Sequence, residues 1–222
     1  MQSPAWPSFA IRALYLPKCK PYFNALIIHI RQIVQFFTYL QLRVSMVEVH
    51  FALPGEKLGT EYYDCRYEVL RKPLGFERGA EILPDDSNAI HVWVADGDLV
   101  IGVGRSHLLE EGNDGSGADI PGKDSGHAPP FGPLRDQSEQ HRPAIQIRQM
   151  GTREEYRRKG IAAMVLSKLE ELSVTHFGAK YGFLQAREVA YSFYESQHWS
   201  KIDVEYEINR IGPHNSMIKK LD

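Results

Sequence analysis

Three cationic residues, Arg157, Arg158 and Lys159, stand directly before Gly160 in the stretch EEYRRKGIAAMVLSKLEEL. Beyond the glycine, Ile161, Val165, Leu169 and Leu172 recur at helical spacing, so the basic run sits at the start of an amphipathic helix. A helix start carries unpaired N–H groups and a partial positive charge, which disfavours neighbouring cations and favours an anion. The arrangement becomes favourable once a phosphate or pyrophosphate lies between the cations and the helix. Gly160 lets such a group approach the backbone, and the small Ala162 and Ala163 keep the first turn open. The spacings G-x-x-x-x-G-K-[ST] and G-x-G-x-x-G are both missing, so this is neither a nucleotide P-loop nor a dinucleotide fingerprint.

Such a helix needs strands on either side to aim it. AIQIRQM, with Ile145 and Ile147 on one face, leads through GTREEY into the helix at 160–177, and Gly178 and Gly182 bracket the return into YGFLQAR. That is a β-α-β crossover, which makes the two strands parallel neighbours. Upstream, VEVHFAL alternates as a half-buried strand, and residues 60–72 show helical spacing at Tyr63, Tyr67 and Leu70 before Pro73 stops them. AIHVWVADGDLVIGVGRSHLL reads as an antiparallel hairpin around Asp96-Gly97. Downstream, EVAYSFYESQHW predicts a short helix. KIDVEYEINRI then alternates Ile202, Val204, Tyr206 and Ile208 against acids, and SMIKKL returns after a Gly212-Pro213 turn. Residues 110–143, rich in Gly, Asp, Ser and Pro, predict a flexible insertion, either solvated or serving as a lid.

With 222 residues, 43% hydrophobic and 24% charged, the chain suits one soluble globular domain. A net charge of -2 argues against a non-specific nucleic-acid binder. Two distant cysteines, Cys19 and Cys65, form neither a disulfide framework nor a metal site, so no metal is expected and a reducing cytoplasm is the default. The first 47 residues hold no Asp or Glu but five basic residues, leaving 21 of the 26 Lys and Arg to face all 28 acids. ALIIHIRQIVQFFTYLQL is apolar, but His29, Arg31, Gln32 and Gln35 interrupt it, so a membrane span is a poor fit. We read residues 1–45 as a dispensable extension or start-site artefact, with an interfacial amphipathic helix as the alternative, and 46–222 as the catalytic domain.

Taken together, MGTREEYRRKGIAAMVLSKLEEL resembles the acetyl-CoA-binding segment of the GNAT acetyltransferase superfamily, whose pattern is Q/R-x-x-G-x-G/A after a strand. Arg157, Gly160 and Ala162 fill it. AREVAYSFYESQHW resembles that superfamily's A-x-x-F-Y helix, with Ala190, Phe193 and Tyr194 in place, and IGPHNSMIKKL is similar to the IPHxxMxKxL close of many members. The resemblance implies an α/β (α+β) fold with a mixed, mostly antiparallel sheet, flanking helices, and a parallel strand pair that splays apart. It implies acetyl-CoA as cosubstrate in that wedge. Met150, Gly151 and Thr152 would hold its pantetheine arm, and Arg157, Arg158, Lys159, Gly160, Ile161, Ala162 and Ala163 its pyrophosphate. An amine then attacks the thioester directly, with Tyr194 as proton donor to the departing thiolate.

The chain departs from the family pattern at the base. Many members carry a glutamate on the strand before the loop, where this chain has Gln146, Arg148 and Gln149. His107 is assigned as the base, with His214, a water chain or an already neutral amine as alternatives. Arg187 replaces a frequent asparagine, and His198-Trp199 replaces Gly-Phe. Arg148 and Arg187 are assigned to the acceptor, where paired arginine bonds would suit a carboxylate. The acceptor itself, a small-molecule amine or a protein amino group, stays open, as does a homodimer. A non-catalytic acyl-CoA-binding module is the competing function, and a membrane-associated transferase anchored by the N-terminal segment is a third.

Overall fold

The structure, a computed structural model, describes residues 47–118, 126–135, 139–209 and 211–221. The expectations for residues 1–45 lie outside the described residues.

The alternating segment VEVHFA forms β1 (Val47–Ala52), and the helix that follows, α1, spans Thr60–Leu70. The Asp96-Gly97 signal produces the hairpin of β2 (Ala89–Asp96) and β3 (Leu99–Leu109), closed by the pairing of Asp96 with Leu99. Then come two short strands, β4 (Gly117–Ala118) and β5 (His127–Ala128), and one helical turn, α2 (Gly132–Arg135). The crossover unit is β6 (Ala144–Thr152), α3 (Ile161–Phe177) and β7 (Tyr181–Arg187). The chain ends with α4 (Tyr191–Ser196), β8 (Ser200–Ile208) and β9 (Gly212–Lys220).

Seven strands form one sheet in the order β1-β2-β3-β6-β7-β9-β8. Every neighbouring pair is antiparallel except β6 and β7. The mostly antiparallel sheet with a single parallel pair, expected from the β-α-β reading, is therefore observed. Helix α3 covers one face: Ile161, Val165, Leu166, Leu169 and Leu172 pack against Ile90, Val92, Val94, Ile101, Ile145 and Ile147. The opposite face carries Tyr62 and Cys65 of α1 over Val100 and Val103, and beside them a cluster of Leu109, Phe131, Leu134, Ala144 and Phe183.

Three local readings are corrected by tertiary structure. In α1 the buried face is Tyr62, Cys65 and Arg66, while Tyr63, Tyr67 and Leu70 are only partly covered. The fully buried Arg66 is stabilised by Asp86, which accepts two bonds from its Nη1 at 2.9 and 3.0 Å. In β8 the alternation fails, since Val204 is 83% exposed. A register shift between Ile202 and Tyr206, with Asp203 at φ 61°, re-aims the strand, as a bulge on a sheet edge does. The Gly212-Pro213 pair opens β9 rather than making the turn, because Pro213 already pairs with Glu207.

Asp86 ties the second face together. It also accepts from Arg105 Nη1 at 3.0 Å and from the Leu83 N–H at 2.9 Å, and its main-chain oxygen accepts from His91 Nε2 at 2.8 Å. Arg66 and Arg105 are both 0% exposed, so removing the carboxylate strands the buried Arg66 and leaves Arg105 to Asp85, which accepts from its Nη1 and Nη2 at 3.0 and 2.8 Å. Asp86→Ala is expected to cost about 3–5 kcal/mol. Thermal unfolding should show this as a fall in Tm on the order of 10 °C. An unchanged Tm would mean that the network contributes nothing to stability.

Candidate functional site

Strands β6 and β7 stay hydrogen-bonded over three residue pairs only, Ala144 with Tyr181, Ile145 with Gly182 and Gln146 with Phe183. Past that point they part, because β6 turns away at a bulge. Arg148 pairs with Arg105 but Gly151 pairs with Val103, leaving one extra residue on β6. Gln149 takes up the difference with φ 57°, a left-handed backbone that a non-glycine residue adopts at a cost of about 1 kcal/mol or more. Its side chain is held in return: Gln149 Oε1 accepts from Arg71 Nη2 at 2.6 Å, and Arg71 is anchored by its Nε on the Ala80 carbonyl at 3.0 Å.

The wedge beyond the bulge is a cavity of about 580 Å³. That size falls among small-molecule sites. On one side lie Arg148, Met150, Gly151 and Thr152 of β6, and on the other Gln185 and Arg187 of β7 with Tyr194 of α4. His214 of β9 and Ala128 of β5 also line it. The N–H of Arg153 bonds to the Ile101 carbonyl at 2.9 Å, so Arg153 and Gly151 direct their main-chain groups towards β3. By the alternation of an antiparallel ladder, Thr152 directs its own into the wedge. Gly151 has a packing reason as well: a Cβ there would come within 2.4 Å of Val69 Cγ2 on α1.

The basic loop lies at the same end. Gly160 is the N-cap of α3 with φ 84° and ψ -4°, no side chain caps the helix, and its first turn holds no acid. A Cβ at Gly160 would meet nothing within 4 Å, so the requirement for glycine is the left-handed backbone rather than space. Arg157, Arg158, Lys159 and Gly160 are exposed, while the Ile161 side chain is buried beneath α3. Of this loop only Arg157 lines the cavity. Ala162 and Ala163 are partly exposed on the first turn.

Tyr194 is 7% exposed and packs edge-on against Phe193 and Trp199. Burial pushes its phenol pKa well up, with the Arg187 charge opposing, so the group stays protonated at neutral pH. His214 donates from Nδ1 to the Gly212 carbonyl at 2.7 Å, because a carbonyl can only accept. In the neutral ring this places the proton on Nδ1. The ring also stacks on Tyr206 at 6.3 Å.

His107, assigned as base from sequence, is not brought to the cavity. It lies beside Arg105 on the face under α1, and burial together with the Arg105 and Arg148 charges pushes its pKa down to about 3. A ring held that far below its usual value of about 6.5 is a poor base near neutrality. Sequence reasoning also missed Arg71, Gln149 and Ala128, which reach the site from segments carrying no motif. The only hint for Gln149 was a polar residue in an apolar strand.

Residues 110–118 and 126–135, expected to belong to a flexible insertion, pack on the sheet. Phe131 is fully buried against Phe183 at 4.9 Å, and Arg142 bonds to the carbonyls of Leu109, Glu110 and Asn113 at 2.6, 3.0 and 2.8 Å. Among the described residues no group of His, Cys, Asp and Glu could hold a metal, and no helix is long and apolar enough to cross a membrane.

The model of the acetyltransferase (GNAT) family matches residues 56–199, and the chain belongs to that family. Its class is therefore that of the acyl-CoA-dependent N-acyltransferases. Among solved structures it is similar to a Lactobacillus plantarum protein assigned as an N-acetyltransferase, at 19% identity and TM-score 0.55 over 79% of this chain and 99% of that one. Escherichia coli ElaA follows at 17% and 0.53, over 79% and 100%. FeeM, an N-acyl amino acid synthase from uncultured soil microbes, stands at 8% and 0.54, over 79% and 92%. At these identities the likeness is one of fold. No protein of curated function matches the chain in sequence.

The same geometry sets the acid response of the fold. Burial pushes His91 down to about 4, as it does His107 to about 3. Both rings are neutral when folded, whereas in the unfolded chain they take up protons near pH 6.5. Stability is then complete above about pH 6.5 and is lost as pH falls towards 4, since the unfolded state binds the extra protons. Thermal melts between pH 7.5 and 4.5 should show this slope, and the His91→Gln, His107→Gln double variant should flatten it. An equal slope in that variant would assign the acid sensitivity to other groups.

Proposed function

We propose that this protein transfers the acetyl group of acetyl-CoA to the amine of an acceptor by direct attack on the thioester. The observation that carries the reading is the wedge between β6 and β7, opened by the Gln149 bulge and flanked by an uncapped, cation-rich helix start. Thr152 offers main-chain groups to a pantetheine arm, with Met150 and Gly151 beside it. The N–H groups from Arg158 through Lys159, Gly160, Ile161 and Ala162 to Ala163 suit a pyrophosphate, whose charge the basic side chains offset, while Arg157 contributes its side chain because its N–H is bonded to the Glu154 carbonyl at 3.1 Å.

In this reading the acceptor nitrogen attacks the carbonyl carbon, the C–S bond breaks, and two protons move. His214 takes one from the attacking amine, and it replaces His107 in that role because it lines the cavity. Tyr194 gives the other to the departing sulfur. A phenol is a weaker acid than a thiol of pKa about 8.5, and more so when buried, so the transfer contributes modestly, about tenfold to a thousandfold. A reducing cytoplasm suits a chain with two cysteines, of which Cys65 is buried and unpaired by a disulfide.

Calorimetric titration of acetyl-CoA should give micromolar binding, abolished by Gly160→Glu, which sets a carboxylate against the pyrophosphate. No binding by folded wild-type protein would remove the assignment. Binding without CoA release on any amine would leave an acyl-CoA-binding module instead. With a turned-over acceptor, Tyr194→Phe should lower kcat about tenfold to a thousandfold at unchanged acetyl-CoA affinity. Unchanged turnover would leave Tyr194 a packing residue.

A further inference from the structure

The bulge of β6 is clamped between its neighbours. Gly104 of β3 stands opposite both Gln149 and Met150, and a Cβ there would come within 2.4 Å of Met150 Sδ. On the other face, Gly151 lies against Val69 and Leu70 of α1, where a Cβ would come within 2.4 Å of Val69 Cγ2 and 3.1 Å of Leu70 Cδ2. Arg71, the residue that ends α1, reaches across to Gln149, 78 positions away in the chain, and its Nη2 donates to Oε1 at 2.6 Å. Both residues line the cavity and are nonetheless buried, at 1% and 7% exposure.

Arg71 is fixed at its own base. Its N–H donates to the Tyr67 carbonyl at 2.9 Å as the C-cap of α1, and its carbonyl accepts from the N–H groups of Leu74 and Phe76 at 3.0 and 3.2 Å. Its Nε donates to the Ala80 carbonyl at 3.0 Å. A planar guanidinium held at one nitrogen presents the next with little further loss of freedom. Gln149 has the opposite character. At φ 57° it occupies a backbone region that glycine enters freely and a residue with a long side chain does not.

Resting on the acetyltransfer reading above, we propose that Arg71 is a positioning residue for the cosubstrate. Through Gln149 it holds the bulge, and with it the main-chain groups of Thr152 that face the wedge, in the orientation that a pantetheine arm requires. Arg71 acts here on the backbone of β6 rather than on the ligand. Its effect is specific to the arm, because the pyrophosphate site belongs to the start of α3, a separate element packed on β2, β3 and β6.

The test uses the full-length chain and calorimetric titration with two probes: acetyl-CoA, and adenosine diphosphate, which carries a pyrophosphate without the arm. Arg71→Met and Gln149→Leu should each weaken acetyl-CoA binding by about fivefold to a hundredfold, the span that corresponds to releasing one strained residue. Affinity for adenosine diphosphate should not change. Gln149→Leu leaves Arg71 in place, so it tests the brace even where loss of Arg71 prevents folding. Gln149→Gly should stay within about threefold of wild type, because glycine takes the left-handed backbone without support. The Arg71→Met, Gln149→Gly double variant should recover most of the affinity that Arg71→Met loses. With a turned-over acceptor, the same pattern should appear in the KM for acetyl-CoA and not in kcat.

Wild-type affinity for acetyl-CoA in folded Arg71→Met or Gln149→Leu would overturn the proposal and leave acetyl transfer standing. So would an equal loss of both probes, which would make the brace a matter of general folding. A loss in Arg71→Met that Gln149→Gly does not restore would place Arg71 on the ligand itself, which also overturns it. Failure of the folded wild-type protein to bind acetyl-CoA would remove the underlying reading, and this one with it.

Discussion

Everything at the site depends on where two parallel strands stop pairing. A continuous β6–β7 ladder would bond the main-chain groups of both strands to each other and leave nothing for a ligand. Pairing ends after Gln146 and Phe183, and the β6 bulge then carries the strand away from β7. Main-chain donors and acceptors that a sheet would otherwise consume are released along one edge of a cavity. An extended ligand can replace the missing neighbour there, with hydrogen bonds of the kind the ladder gave up.

Such an opening is costly and has to be held from outside. Gln149 sits in a left-handed conformation that its side chain alone does not favour, and the Arg71 bond to Oε1 restrains it. Arg71 follows directly on α1, whose own position is set by the buried Arg66 and by Asp86, shared with Arg105 of β3. The bulge is therefore connected to the charged network under α1 through one short helix. On the other face, Ile161 to Leu172 of α3 pack on β2, β3 and β6, which fixes the direction in which the helix start points.

The insertion is part of this design rather than an appendage to it. Phe131 and Leu134 add apolar surface to a sheet face that Gln146, Arg148 and Gln185 make polar, and Arg142 closes the base of the segment onto three carbonyls. Burying Phe131 against Phe183 stabilises the covered arrangement by roughly 2 kcal/mol or more. The polar rung of the sheet is thereby enclosed next to the cavity. Charges on that rung act across a partly desolvated space, where they count for more than at an open surface.

The sequence by itself determined the elements whose signal is local. The spacing of Ile161, Val165, Leu169 and Leu172 gave α3 and its buried face, Asp96-Gly97 gave the hairpin, and Gly160 behind three cations gave the uncapped, cation-rich helix start. Only tertiary structure decided the rest, because it depends on partners far apart in the chain. Arg66 can be buried only because Asp86, twenty positions on, neutralises it; His107 reads as a base until burial, helped by the charges of Arg105 and Arg148, is seen to depress it. The bulge at Gln149 depends on Arg71, and the cavity wall at Ala128 depends on a Gly- and Pro-rich segment that has no periodicity of its own. Periodicity records which face of an element is apolar, whereas a buried charge, a strained backbone or a cavity wall is stabilised by whichever distant group the fold brings to it.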